Sequence, residues 1–114
     1  VKHPMYAEKT VPFLRGMLAN DDEEKIRAAV ADALGVMGRD LETIEVLISA
    51  IQDDDPYVRR AAIQALGTIG PKAASAIPAL QKLVNQNPSY DWFIDEANAA
   101  LELIEHHEST IPDS

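Results

Sequence analysis

Two runs of carboxylates, Asp21-Asp22-Glu23-Glu24 and Asp53-Asp54-Asp55, have the most chemistry to offer in this chain. Crowded carboxylates can ligate a hard cation, or divide acid and base duties between them. A calcium loop needs alternating ligands, a glycine at its turn and a distant bidentate glutamate, and neither run has that spacing. Each run instead stands directly before an amphipathic stretch. There, carboxylates cap free N–H groups and oppose the positive end of a helix dipole. Capping and solvation are their expected roles.

The other candidates are weaker. His106 and His107 are adjacent, so on a helix they point about 100° apart and do not face one metal. Ser49, Ser75, Ser89 and Ser109 have no histidine within the central segments to act as base. The glycine pairs Gly35/Gly38 and Gly67/Gly70 follow helical patterns, whereas a dinucleotide-binding loop follows a strand. Arg27 and Arg59 each come straight after an aliphatic residue and have many carboxylates nearby. An internal ladder of bidentate ion pairs is expected of them rather than an anion site. With no cysteine, thiol nucleophiles, thiolate zinc and disulfides are excluded. No catalytic residue, metal site or cofactor is assigned.

The elements that carry these residues emerge from an internal repeat. Ile26 to Gly38 (IRAAVADALGVMG) aligns with Val58 to Gly70 (VRRAAIQALGTIG) at an offset of 32. A fainter copy sets Ala97, Ala100, Leu101 and Ile104 on Ala62, Ala65, Leu66 and Ile69, at an offset of 35. Between these copies a second pattern steps by 33: Val11-Pro12-Phe13-Leu14, Ile44-Glu45-Val46-Leu47, Ile77-Pro78-Ala79-Leu80. Apolar residues three, four and seven apart mark amphipathic helices. Asp54-Asp55-Pro56 is a helix start, and Gly38 and Gly70 are expected to close helices in left-handed caps. The expected architecture is all-α, with six helices near 7–19, 23–37, 41–52, 56–69, 74–86 and 91–107 and a tail over 108–114. Gly16 is expected to permit close helix packing, and Phe13 and Phe93 to be core.

A period of 32 to 35 residues with two helices each resembles the HEAT-repeat superfamily, and in particular the short HEAT-like repeats of phycobilin lyase subunits. Asp54-Asp55-Pro56-Tyr57-Val58-Arg59-Arg60-Ala61-Ala62 with Ala65 to Gly70, and the matching run Asp22 to Gly38, carry the resemblance. It implies one domain over 1–114, an α-α superhelix of about three repeats. The opening helix has no repeat partner and the chain starts at Val1, so a longer parent protein is expected, and the uncovered opening helix offers a dock for a second copy. The last copy departs from pattern, with Glu96 where the others have Ala29 and Ala61.

In such a solenoid the second helices line the concave face. The 33-residue step sorts their polar positions into rows: Lys9/Glu42/Ser75, Pro12/Glu45/Pro78, Gly16/Ser49/Lys82 and Ala19/Gln52/Asn85. Glu42, Glu45, Ser49, Gln52, Lys82 and Asn85 are the candidate partner-binding residues, with Tyr57 as an exposed aromatic anchor and Trp92 as a cap on the core. The expected function is non-catalytic binding of another protein. A bilin lyase-like or phycobiliprotein-handling subunit, implied by the resemblance, is the alternative. Net charge of −9 disfavours nucleic acid, and no long apolar run or basic leader appears, so a cytoplasmic protein without membrane contact is expected.

Overall fold

The computed structural model describes the backbone of residues 4–20, 22–38, 40–86 and 92–110, and the side chains of 10–18, 22–38, 40–85 and 94–105. Among these are six α-helices: α1 (Pro4–Asn20), α2 (Glu24–Met37), α3 (Leu41–Ala50), α4 (Pro56–Ile69), α5 (Ile77–Gln86) and α6 (Trp92–Thr110). A 3-10 helix, Gly70–Ala76, joins α4 to α5. It replaces the opening turn of the helix expected from residue 74. Pro71 and Pro78 each lack an amide donor, and Pro78 is accommodated in the first turn of α5, where no donor is needed. Residues 51 and 52, expected in α3, form a turn beyond it. α6 continues through Thr110, so the first three residues of the expected tail are helical.

The helices form two layers. α2, α4 and α6 lie side by side; α1 backs α2, α3 backs α4, and α5 with the 3-10 helix backs α6. The Cα atoms span 41 × 38 × 16 Å, a slab two helices thick. α4 has neighbours on both flanks, so Val58, Ala62, Ile63 and Leu66 are fully buried. Ile26, the counterpart of Val58 one repeat earlier, keeps 36% of its surface exposed.

The first glycine of each repeat pair seats the next repeat. A Cβ on Gly35 would come within 2.8 Å of the Cα of Ala65, and one on Gly67 within 3.1 Å of the Cα of Ala100. The same contact therefore recurs between α2 and α4 and between α4 and α6. The second glycines act differently. Neither forms the left-handed cap expected of it. Gly70 has φ +80°, where L side chains are strained, but its ψ of −143° lies outside the left-handed helical region. Gly38 is extended at φ −108°, and a side chain there would strike Thr43 at 2.8 Å.

Two expectations about α1 are overturned. Gly16 is exposed, and a Cβ there would meet nothing within 4 Å, so close packing is not its reason. Phe13 is 67% exposed rather than core. Val11 and Leu18 are buried and Leu14 packs against the core, and Phe13 lies about 130° round the helix from that stripe. The side chains of Trp92 and Phe93 lie outside the described residues, as do those of Lys9, Ala19, His106 and His107.

Candidate functional site

The outward faces of α3 and α5 carry the polar grid. Glu42, Glu45 and Ser49 on α3, Gln52 just beyond it, and Lys82 and Asn85 on α5 are all exposed. On the opposite sides of these elements Ile44, Leu47, Ile51, Leu80 and Leu83 are buried. Pro12, Gly16, Ser75 and Pro78 from the same rows are exposed as well. Phe13 adds an aromatic ring to the exposed surface of α1, two residues from Arg15. Between α1 and α3 a shallow cavity of ≈ 230 Å³ is lined by Leu18, Val46, Ser49, Ala50 and Asp53.

Glu42 is committed internally. Arg15 reaches across from α1, with Nη2 3.2 Å from Glu42 Oε1 and Nη1 2.9 Å from Asp40 Oδ2, and Nη1 also donates to Thr43 Oγ1 at 3.3 Å. The Thr43 hydroxyl donates to Asp40 Oδ1 at 2.6 Å, which satisfies a fully buried threonine. Burial pushes the Asp40 carboxyl up, but the Thr43 hydroxyl, neighbouring backbone N–H groups and Arg15 outweigh it and hold it below its ordinary value. The sequence carried no signal for this network, because positions 33 and 66 residues after Arg15 are Ile48 and Gln81.

Tyr57 is 66% exposed, as expected, but it does not join the grid. It stands at the start of α4 and, with Glu24, Lys25, Ala28 and Asp55, lines a separate groove of ≈ 470 Å³ between the first turns of α2 and α4. Beneath this edge lies the arginine ladder. Arg27 donates from Nε to Asp53 Oδ2 at 3.0 Å and from Nη2 to Asp53 Oδ1 at 3.1 Å, a bidentate pair between successive repeats. Arg59 donates instead to backbone carbonyls, those of Asp53 at 2.6 Å and Asp54 at 3.3 Å. Burial raises the Asp53 carboxyl, yet the bonds from Arg27 and the Asp55 N–H, with the charges of Arg27 and Arg59, bring it below the ordinary range. The hydrogen bond to Asp53, opposed by burial, in turn raises Arg27.

The acidic runs cap as expected in one case and not in the other. Asp55 Oδ1 accepts from the Tyr57 N–H at 2.8 Å, and Asp53 Oδ1 from the Asp55 N–H at 2.9 Å. Glu23, a methylene longer, precedes α2 without a side-chain cap bond. Across the α4–α6 interface, Glu96 Oε1 accepts from Gln64 Nε2 at 2.9 Å, and its Oε2 lies 3.4 Å from Arg60 Nε. The residue that broke the repeat pattern thus docks α6 on α4. Asp32 belongs to the same layer; burial raises its carboxyl and the charge of Arg60 partly offsets this. Among the described residues no group of three or more His, Asp or Glu is placed to hold a metal ion, and no helix is long and apolar enough to cross a membrane.

Known proteins share this pattern. The alpha subunit of phycocyanobilin lyase from Synechococcus elongatus is 41% identical over 70 residues, which cover 61% of this chain and 24% of the relative. The chain thus spans about a quarter of that curated relative's length. The family profile of HEAT repeats matches residues 11–102, which include α2 through α5 and the repeated Gly–Ala seats between α2, α4 and α6, and the chain belongs to the HEAT-repeat family.

Proposed function

We propose that this chain binds another protein, without catalysis, through the exposed face of α1, α3 and α5. The observation that carries the reading is the exposure of Glu45, Ser49, Gln52, Lys82 and Asn85 in register along α3 and α5. Their hydrogen-bonding groups are mixed in charge, and Phe13 with the half-buried Val46 and Ala79 supplies the carbon surface that excludes water around them. Phe13 takes the anchor role on this face, since exposed aromatic rings dominate binding energy at protein interfaces. Glu42 contributes through Arg15, as a brace between α1 and α3.

The test is affinity capture from lysate of the source organism, followed by reconstitution with the purified partner. A Glu45→Lys/Gln52→Ala variant and Phe13→Ala are each expected to lose at least tenfold in affinity, about 1.4 kcal/mol or more. Retention of the same partner by both variants at unchanged affinity removes this face from consideration.

A second reading, a segment of a bilin lyase-like or phycobiliprotein-handling subunit, is supported by the 41% identity to a phycocyanobilin lyase subunit. A tetrapyrrole's propionates need cations. Among the described grid positions Lys82 supplies one, while Arg15 is already held by Asp40 and Glu42. A shift in the absorption spectrum of free bilin on mixing, lost in Lys82→Ala, would favour this reading; an unchanged spectrum counts against it.

A further inference from the structure

The groove between the first turns of α2 and α4 has mainly carbon walls: the Ala28 methyl, the Tyr57 ring and the stem of Lys25. Two helix starts alone would favour an anion there, each being equivalent to about half a positive charge. The local sequence reverses that preference. Residues 22–27 and 53–59 hold six carboxylates against three cations, Lys25, Arg27 and Arg59. Two of those cations serve the fold, Arg27 on the Asp53 carboxylate and Arg59 on the carbonyls of Asp53 and Asp54. Asp22, Glu23, Glu24 and Asp54 face solvent, with Lys25 among them. An apolar slot with an aromatic wall and a net anionic rim is complementary to a flat, weakly hydrated cation on an aliphatic stem.

We propose that this groove receives an arginine side chain from an exposed segment of a partner protein, its guanidinium stacked on Tyr57 and paired with the carboxylate of Glu24. Arginine is favoured over lysine because its planar guanidinium stacks on a ring and keeps its in-plane N–H groups available to carboxylates, whereas an ammonium is a strongly hydrated point charge. Lys25 opposes the incoming cation and limits affinity. The groove shares no residue with the α1/α3/α5 face, so either surface can fail without the other.

The probe is a blocked peptide, Gly-Ser-Arg-Gly-Arg-Ser-Gly, with lysine and citrulline counterparts, titrated calorimetrically into the whole chain at low and high salt. The arginine peptide is expected to bind saturably and several-fold more tightly than the lysine peptide, with the citrulline peptide silent. Tyr57→Ala and Glu24→Gln should each weaken binding about fivefold, and Lys25→Ala should strengthen it. Glu102→Gln/Glu105→Gln, which removes exposed charge from α6, should change nothing. Absence of saturable binding overturns the proposal. So does equal weakening by the α6 variant, or equal affinity for the lysine peptide, either of which would mean diffuse attraction to an acidic protein. Tyr57 is largely exposed, so its truncation leaves the core intact, and Glu24→Gln gives an independent readout.

Discussion

Arg27 and Asp53 hold successive repeats together through two parallel hydrogen bonds, at 3.0 and 3.1 Å, with both side chains largely withdrawn from solvent. The guanidinium fork matches the two carboxylate oxygens, and the same carboxylate also receives the Asp55 N–H. Arg27→Lys keeps the charge but lacks the fork. It is expected to lower the thermal midpoint, and Asp53→Ala to lower it further by also releasing the turn before α4; differential scanning calorimetry of the two variants checks the order.

Acid should weaken the fold through Asp53 and Asp40. Both carboxyls lie below their ordinary value in the folded chain, so each contributes stability that is present above the unfolded pKa of about 3.9 and is lost as pH falls through the folded value. Asp32 has the opposite sign. Its folded pKa is raised, so stability is gained as pH falls through it. Urea titrations from neutral pH to below pH 4 should show Asp53→Asn less stable than wild type at neutral pH, with the gap closing in acid. Asp32→Asn should be slightly more stable at neutral pH, with that advantage disappearing in acid.

Two glycine-to-alanine changes should differ in sign. Gly35→Ala places a methyl against the backbone of Ala65 and should destabilise by about 1–3 kcal/mol, since the helix backbone rather than a flexible side chain must yield. Gly16→Ala enters open space within α1 and should stabilise by about 0.5–1 kcal/mol through helix propensity. Chemical denaturation of both variants decides the matter, and a loss of stability in Gly16→Ala would contradict the open surroundings described above.

Core and surface apolar residues should separate as sharply. Leu66 is fully buried in the central helix, and Leu66→Ala is expected to cost about 2–5 kcal/mol. Phe13→Ala removes a larger side chain but one that faces solvent, so a change within about 0.5 kcal/mol is expected. A large loss from Phe13→Ala in the unfolding curve would return Phe13 to the core.

The repeat grammar was legible because it rests on local constraints. Asp55-Pro56 starts α4 where the cap and the missing proline N–H require, and the stepped runs Ile44 to Leu47 and Ile77 to Leu80 mark amphipathic helices, whose Ile44, Leu47 and Leu80 are buried. Exposure of the grid positions followed from the same periodicity. Phe13 belongs to the apolar Val11-Pro12-Phe13-Leu14 run, but the run by itself does not show which of its members faces the fold. In α1 the buried stripe of Val11, Leu14 and Leu18 already meets the rest of the fold, and the ring lies off that stripe.

Sequence alone determined the helices, their pairing into repeats and the family, since each depends on spacing within some 35 residues. Tertiary structure alone decided which charges remain available for a partner. Arg15 with Glu42, and Glu96 with Gln64 and Arg60, join residues 27 to 36 positions apart on different helices without any repeating signal. Their partners were set by how α1 lies on α3 and α6 on α4. Tyr57 was separated from the grid for the same reason: the start of α4 opens on the groove shared with α2, while the polar rows run along α3 and α5 in the other layer.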